Sequence, residues 1–253
     1  MATIAFDAKR AFANSTGLGN YSRSLIDALS RFYPGHDYLL LTPYTRRNLC
    51  EHLVCRDNIR VRMPPPPLAA KAGPLWRRYG LSRVLRREGA HVYHGLSHEL
   101  PLGIEKSGVF SVVTIHDMLP FRYPKLFKWP DRSIYQKKFH HACFSADRII
   151  AVSAQTRDDI FQYLDPKRQR ITEDKVMVVH QGCDPVFHDP PGLDQARARV
   201  LEMGVEGEYV LSVGAIIERK NLLSLVKGME MLLRGGEGKT GAGTRGAPAS
   251  RAR

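Results

Sequence analysis

The chain has 253 residues, 43% hydrophobic and 25% charged, with a formal net charge of +13. That composition is a folded globular chain's and excludes a disordered or fibrous one. No apolar run nears the ~20 residues that cross a bilayer, and residues 1–7 lack the basic start and apolar core of a signal sequence, so the chain reads as cytoplasmic.

The positive charge is spread over pairs, among them Arg46-Arg47, Arg77-Arg78, Arg86-Arg87, Lys137-Lys138 and Lys167-Arg168. Solvated helix faces are the first reading of such pairs. Attraction to an anionic membrane surface is the main functional alternative. Nucleic acid is not expected, because no basic run is interleaved with aromatic residues. The four cysteines, Cys50, Cys55, Cys143 and Cys183, form no C-x-x-C pair and read as reduced and structural.

Residues 3–6 make a short apolar strand. Asp7 and a loop follow, carrying Asn14, Gly17, Gly19 and Asn20. Tyr21, Leu25, Ala28, Leu29 and Phe32 then recur at the spacing of one buried helix face, ended by Pro34-Gly35. The strand, glycine turn and helix form a βα unit whose helix start could admit an anion or a sugar. As a dinucleotide fingerprint it is incomplete, since Ser22 stands where the third glycine belongs.

Strands are expected at 38–42 and 59–63, a polyproline stretch at 64–67, and a basic amphipathic helix at 75–87. Residues 92–98 read as a strand running into a loop. His94 and His98 stand four apart, which would suit a metal on a helix, but Gly95 and Ser97 argue for a loop and no metal is expected.

The centre of the chain is 112–124. A β-branched run delivers His116 and Asp117 into a loop braced by Pro120 and Pro124, neither of which can continue a central strand. In an open α/β sheet, ligands gather beyond the carboxyl ends of the strands. His116 and Asp117 are therefore the candidate catalytic pair, with loop bracing an equal alternative for Asp117.

A helix at 135–144 and a strand at 147–153 come next. Ser153 is placed to cap the helix 155–164, with cleft lining as its functional alternative. A buried strand at 176–179 runs into His180, Gln181, Gly182, Cys183 and Asp184. The three prolines of 185–192 have linker character. A second β-α pattern begins at 209–214 and passes through Glu218, Arg219, Lys220 and Asn221 into a helix at 222–232. From 234 onward nothing can build a core, so disorder is expected there. Gly238-Lys239-Thr240 is not a phosphate loop, since Leu233 stands where its first glycine should.

Together these segments resemble the family-4 glycosyltransferases of the GT-B fold, mannosyltransferase-like enzymes of bacterial polysaccharide assembly in particular. The residues that carry the resemblance are Gly17 to Tyr21, Val92 to Gly95, Ile115 to Pro120, Ala151 to Ser153, Val178 to Asp184, and Val213-Gly214 through Glu218 to Leu222. It implies an α/β fold: a Rossmann-like parallel sheet flanked by helices, the N-terminal half of a GT-B fold, followed by an incomplete second βα segment. The implied activity is sugar transfer from a nucleotide-diphosphate sugar to a glycan or lipid-linked acceptor, with retention of configuration and no metal or other cofactor.

By that resemblance Gly17 and Gly19 face the sugar phosphates, His116 approaches the donor sugar, and Arg219 and Lys220 grip the diphosphate. Asn20, Tyr21, His94, Ser153, Gly182 and Asp184 would line the acceptor cleft. The expected domains are an acceptor-side domain over 1–185, a linker and connecting helix over 186–207, the start of a donor-binding domain over 208–233, and a disordered tail over 234–253. The family's paired glutamates have no counterpart after Leu233, so a truncated and impaired enzyme is expected, working at the inner face of the membrane. The competing readings are an NAD-dependent oxidoreductase, disfavoured by Leu41-Thr42-Pro43 where a ribose-binding acid would stand, and a non-enzymatic binding module.

Overall fold

The computed structural model describes residues 1–45, 49–65, 73–184, 187–189 and 191–236. The Arg46-Arg47 pair, the second half of the proline run and the expected disorder beyond 236 lie outside them. The chain divides into two units, Met1–Pro190 and Pro191–Arg253, so the boundary falls within the proline-rich stretch.

The first unit is built on a sheet of seven parallel strands in the order β3-β2-β1-β4-β5-β6-β7. They are β1 (Thr3–Asp7), β2 (Asp37–Leu41), β3 (Ile59–Arg62), β4 (Val92–Gly95), β5 (Phe110–Ile115), β6 (Arg148–Ala151) and β7 (Val176–Val178). The order reverses between β1 and β4, the switch point at which such sheets open a crevice beyond their carboxyl ends.

Both faces of the sheet are covered, and the period-two geometry of a strand shows how. Leu39 and Leu41 of β2 join one core with Trp76, Leu85, Tyr93, Ile115, Phe139 and Ile160. Tyr38 and Leu40, pointing the other way, join a second with Phe6, Phe12, Ile26 and Leu53. The first core lies under the helices Leu81–Arg87, Trp129–Ser145 and Ala154–Leu164, and the second under α1 (Lys9–Ala13) and α2 (Gly17–Phe32). All four cysteines are free, with Cys50 and Cys143 buried.

Helices also form at Lys9–Ala13 and Leu119–Arg122, where loops were expected, and the helix expected from 135 begins at Trp129; two further differences have a clear physical cause. The glycines of the Asn14–Asn20 segment are not in a loop: α2 starts at Gly17, so both lie in its first turn. Asn14 explains the early start, because its Oδ1 accepts from the Thr16 backbone N–H and hydroxyl, both at 2.7 Å, an Asx turn leading straight into the helix. In the second unit no strand forms at 209–213. A strand is made by pairing, and residues 191–236 contain no other described strand to pair with. The helices Leu193–Glu202 and Leu222–Gly236 do form, because their hydrogen bonds are internal.

Candidate functional site

His116 follows β5 directly, and four neighbouring segments meet around it. One of its ring nitrogens, Nε2, lies 2.9 Å from the Leu96 carbonyl oxygen, which can only accept, so Nε2 carries the proton. Nδ1 is then the acceptor, and it receives the side-chain amide of Gln181 at 2.7 Å. The Tyr21 ring meets the imidazole edge-on with centroids 4.7 Å apart, and the His98 ring does so at 5.2 Å. Burial lowers the pKa of His116; the Leu96 contact and Asp117 pull the other way without cancelling it. The ring is neutral near pH 7, with one proton in a defined place.

Thr114, two residues earlier, ties β5 to its surroundings. Its hydroxyl lies 2.8 Å from His94 Nε2 and 2.9 Å from the Tyr21 hydroxyl. His94 is thus a buried strut between β4, β5 and α2, its pKa pushed down to about 3 by burial and then by His116. His98 is held similarly at about 3, by burial first and then by His116. It adopts a left-handed backbone at φ 59°, stacks on Phe139 with centroids 4.5 Å apart, and its Nδ1 faces the His116 backbone N–H at 3.4 Å. The turn between them depends on Gly95, where a Cβ would stand 2.1 Å from the Glu99 carbonyl oxygen.

Ser153 caps the helix Ala154–Leu164, its hydroxyl accepting from the Thr156 backbone N–H at 3.1 Å. The Thr156 hydroxyl in turn donates to the His116 carbonyl at 3.3 Å. Asp117 braces its loop, Oδ1 accepting from the Leu119 N–H at 3.1 Å. Gly19 is buried, and a Cβ there would stand 1.7 Å from the Asn14 carbonyl oxygen, so this glycine permits close packing. Gly17 and Asn20 are exposed on the same turn, Asn20 accepting from Arg23 at 2.5 Å. Gly182 and Asp184 lie exposed just beyond Gln181.

The first unit therefore brings Tyr21, His94, His116, Asp117 and Ser153 to the carboxyl ends of β4, β5 and β6. Arg219 and Lys220 belong to the second unit, in an exposed turn (Glu218–Lys220) that passes through left-handed Asn221 into the helix Leu222–Gly236. Gln181, Thr114 and Thr156 were not singled out from sequence, and His98 was weighed only as a metal partner of His94. For Gln181 the available signal was its position in the loop after the last strand; Thr114 and Thr156 look like ordinary strand and helix residues.

Beside this cluster, at the β1–β4 switch point, lies a charged cavity. Arg77 pairs with both oxygens of Asp7, its Nε lying 3.2 Å from Oδ1, and reaches Glu99 at 3.1 Å. Glu99 also accepts from Lys138 at 2.7 Å. Burial opposes the Arg77 charge, but Asp7 and Glu99 outweigh it and hold the guanidinium firmly protonated. Burial likewise opposes ionisation of Glu99, and Arg77 and Lys138 overcome it, lowering its pKa.

Comparison with known proteins agrees with this architecture. Residues 15–187 match the family described as Glycosyltransferase Family 4. Over 226 residues the chain is 24% identical to O-antigen chain mannosyltransferase B of Escherichia coli, covering 86% of this chain and 57% of that protein. Over 192 residues it is 30% identical to alpha-maltose-1-phosphate synthase of Mycolicibacterium smegmatis, covering 68% of this chain and 45% of that one. The chain thus spans about half the length of these curated relatives. A solved glycosyltransferase from Rickettsia africae ESF-5 shares the fold with a TM-score of 0.51 at 13% identity, covering 81% of this chain and 50% of its own.

Proposed function

The chain belongs to glycosyltransferase family 4, and from that premise we propose that it serves sugar transfer from a nucleotide-diphosphate sugar to a glycan or lipid-linked acceptor in polysaccharide assembly. We put forward mannose as the sugar, retention as the stereochemical course, and no metal or cofactor. The mannosyltransferase relative supports the sugar; the second relative is named for a different product, so hexosyl transfer is the broader form of the reading.

The observation that carries the proposal is the half-buried, neutral, tautomer-fixed His116 at the strand ends. Its Nδ1 lone pair can accept from a sugar hydroxyl when Gln181, an exposed side chain, moves aside. A ring held by Leu96 and flanked by Tyr21 would orient a sugar at little cost in lost freedom. Arg219 and Lys220 would stabilise the charge that builds on a leaving nucleoside diphosphate. The acceptor-side domain of this reading is the first unit, and the start of the donor-binding domain the second.

Peripheral contact with an anionic membrane belongs to the same proposal. The helical stretch up to Arg87 exposes Arg78, Arg83, Arg86 and Arg87 beside Leu75 and Tyr79, which are 59% and 60% exposed, an apolar-and-basic face suited to a lipid surface. Among the described residues no helix is long and apolar enough to cross a membrane.

The test is transfer of radiolabel from a panel of nucleotide sugars to a bacterial lipid extract, by this chain and by a fusion carrying the C-terminal half of a curated relative. Transfer that falls at least ~100-fold in His116→Ala, the range of a lost positioned group, is the expected result. No transfer by either protein, or transfer indifferent to His116, would overturn the proposal.

A further inference from the structure

The cavity at the switch point is open to solvent and has a volume of about 380 Å³, room for roughly a dozen waters at ~30 Å³ each and thus for a diphosphate. Its walls hold five cations, Lys9, Arg77, Arg78, Lys137 and Lys138, against two carboxylates, Asp7 and Glu99. The internal ion pairs do not use this charge up. Arg77 is taken by Asp7 and Glu99, and Lys138 by Glu99. For Lys9, Arg78 and Lys137 no carboxylate lies within ion-pair distance among the described residues. His141 is engaged on both sides, its Nδ1 facing the Ser145 hydroxyl and its Nε2 the Pro101 carbonyl, both at 3.2 Å.

Arg78 and Lys137 are exposed and Lys9 is half-buried; three cations without a carboxylate partner around one open-mouthed cavity repel each other, and a bound anion removes that repulsion. Lys9 registers the strain: burial first, then Arg77 and Arg10, lower its pKa. The carboxylates have a separate role. By saturating Arg77 they fix one wall, so that the remaining cations face the space instead of collapsing onto the acids. The cavity adjoins the His116 cluster through consecutive residues, because Glu99 lines the cavity and His98 touches the His116 ring.

We propose that this cavity binds a phosphate or diphosphate group carried by the acceptor, so that the acceptor is a phosphate-linked glycan or lipid and not a neutral sugar. This rests on the sugar-transfer reading above for the word acceptor; the anion site itself rests on the cavity. A donor nucleotide sugar offers the same diphosphate chemistry, and the experiment separates the two sources.

The test is calorimetric titration of the full chain with inorganic pyrophosphate, for the wild type, Lys9→Gln/Lys137→Gln, and Arg86→Gln as an exposed cation outside the cavity. The double variant keeps every ion pair of the wall, and thermal melting checks its fold. Expected are saturable binding that weakens at least tenfold in the double variant, about 1.4 kcal/mol, no change in Arg86→Gln, and no displacement by nucleotide sugars. Equal affinity in wild type and double variant, or equal losses in both variants, overturns the site. Displacement of pyrophosphate by a nucleotide sugar, dependent on Lys9 and Lys137, overturns the assignment to the acceptor. Pyrophosphate binding as expected in a chain that fails the transfer assay sinks the sugar-transfer reading while the anion site stands.

Discussion

Gln181 donates its side-chain amide to Nδ1 of His116 at 2.7 Å, across 65 positions of sequence. With the Leu96 carbonyl occupying Nε2, the imidazole is left a single neutral tautomer and an acceptor nitrogen covered by one removable side chain. Replacing Gln181 by Leu is expected to leave the proton on Nε2 and to cost about 0.5–1.5 kcal/mol, the net worth of one hydrogen bond. Ring nitrogen NMR shifts read the tautomer directly. A proton found on Nδ1 in the wild type would refute the assignment.

His94 and His98 make the first unit acid-sensitive. Both have folded-state pKa values near 3 against an unfolded value of ~6.5, so between those limits the unfolded chain binds more protons. Stability therefore rises with pH through this window and is lost as pH falls. Each histidine contributes a slope of up to about 1.4 kcal/mol per pH unit. Urea unfolding at a series of pH values should show it, and His98→Asn, which tolerates the left-handed backbone, should remove about half. An unchanged slope in that variant would contradict the buried neutral assignment.

The two glycines that open α2 should respond oppositely to alanine. At Gly19 the new Cβ would meet the Asn14 backbone at 1.7 Å, and backbone cannot step aside cheaply; a loss of about 1–3 kcal/mol is expected, as for overpacking. At Gly17 nothing stands within 4 Å, and a helical alanine should gain roughly 0.4–1 kcal/mol. Thermal melts of the two variants decide it, and an unchanged or raised stability in Gly19→Ala would show that Gly19 is not packed as described.

Asp7→Asn removes one of the two carboxylates that neutralise Arg77, whose side chain is 10% exposed. Glu99 remains, so a loss near the lower end of the ~3–5 kcal/mol for breaking a buried pair is expected. Arg77→Met in the same chain should recover part of it, because the uncompensated charge goes with the guanidinium. Additive losses in a double-mutant cycle would mean the pair is not coupled.

The exposed arginines Arg83, Arg86 and Arg87 should govern contact with anionic vesicles. At about 1 kcal/mol per basic residue near such a surface, replacing all three by Gln should weaken flotation binding by roughly two orders of magnitude. Salt should weaken wild-type binding in the same direction. Equal binding to neutral vesicles would remove the electrostatic basis of the prediction.

The sheet was legible because β-branched runs and turn residues are local signals. All seven strands were read to within a residue or two; of the helix face read from Tyr21 to Phe32, Tyr21, Leu25 and Leu29 pack half-buried against the core, whereas Ser22, Ile26 and Ser30 are the buried positions and Phe32 is exposed. The start of α2 was misplaced because glycine and asparagine favour turns on average, whereas here an Asx turn at Asn14 and close packing at Gly19 carry helix through them. The strand expected at 209–213 failed for the opposite reason: alternation describes which residues could pair, and pairing needs a second strand.

The amino-acid order by itself determined the parallel α/β class, the family resemblance and the arrival of His116 at a strand end, since each is written in contiguous residues. Only the tertiary structure decided that Gln181 covers Nδ1, that His94 is a buried strut, and that three cations share a cavity with their counter-charges already spent. Those facts depend on distances between segments far apart in the chain, and proton position, burial and charge balance are properties of such distances.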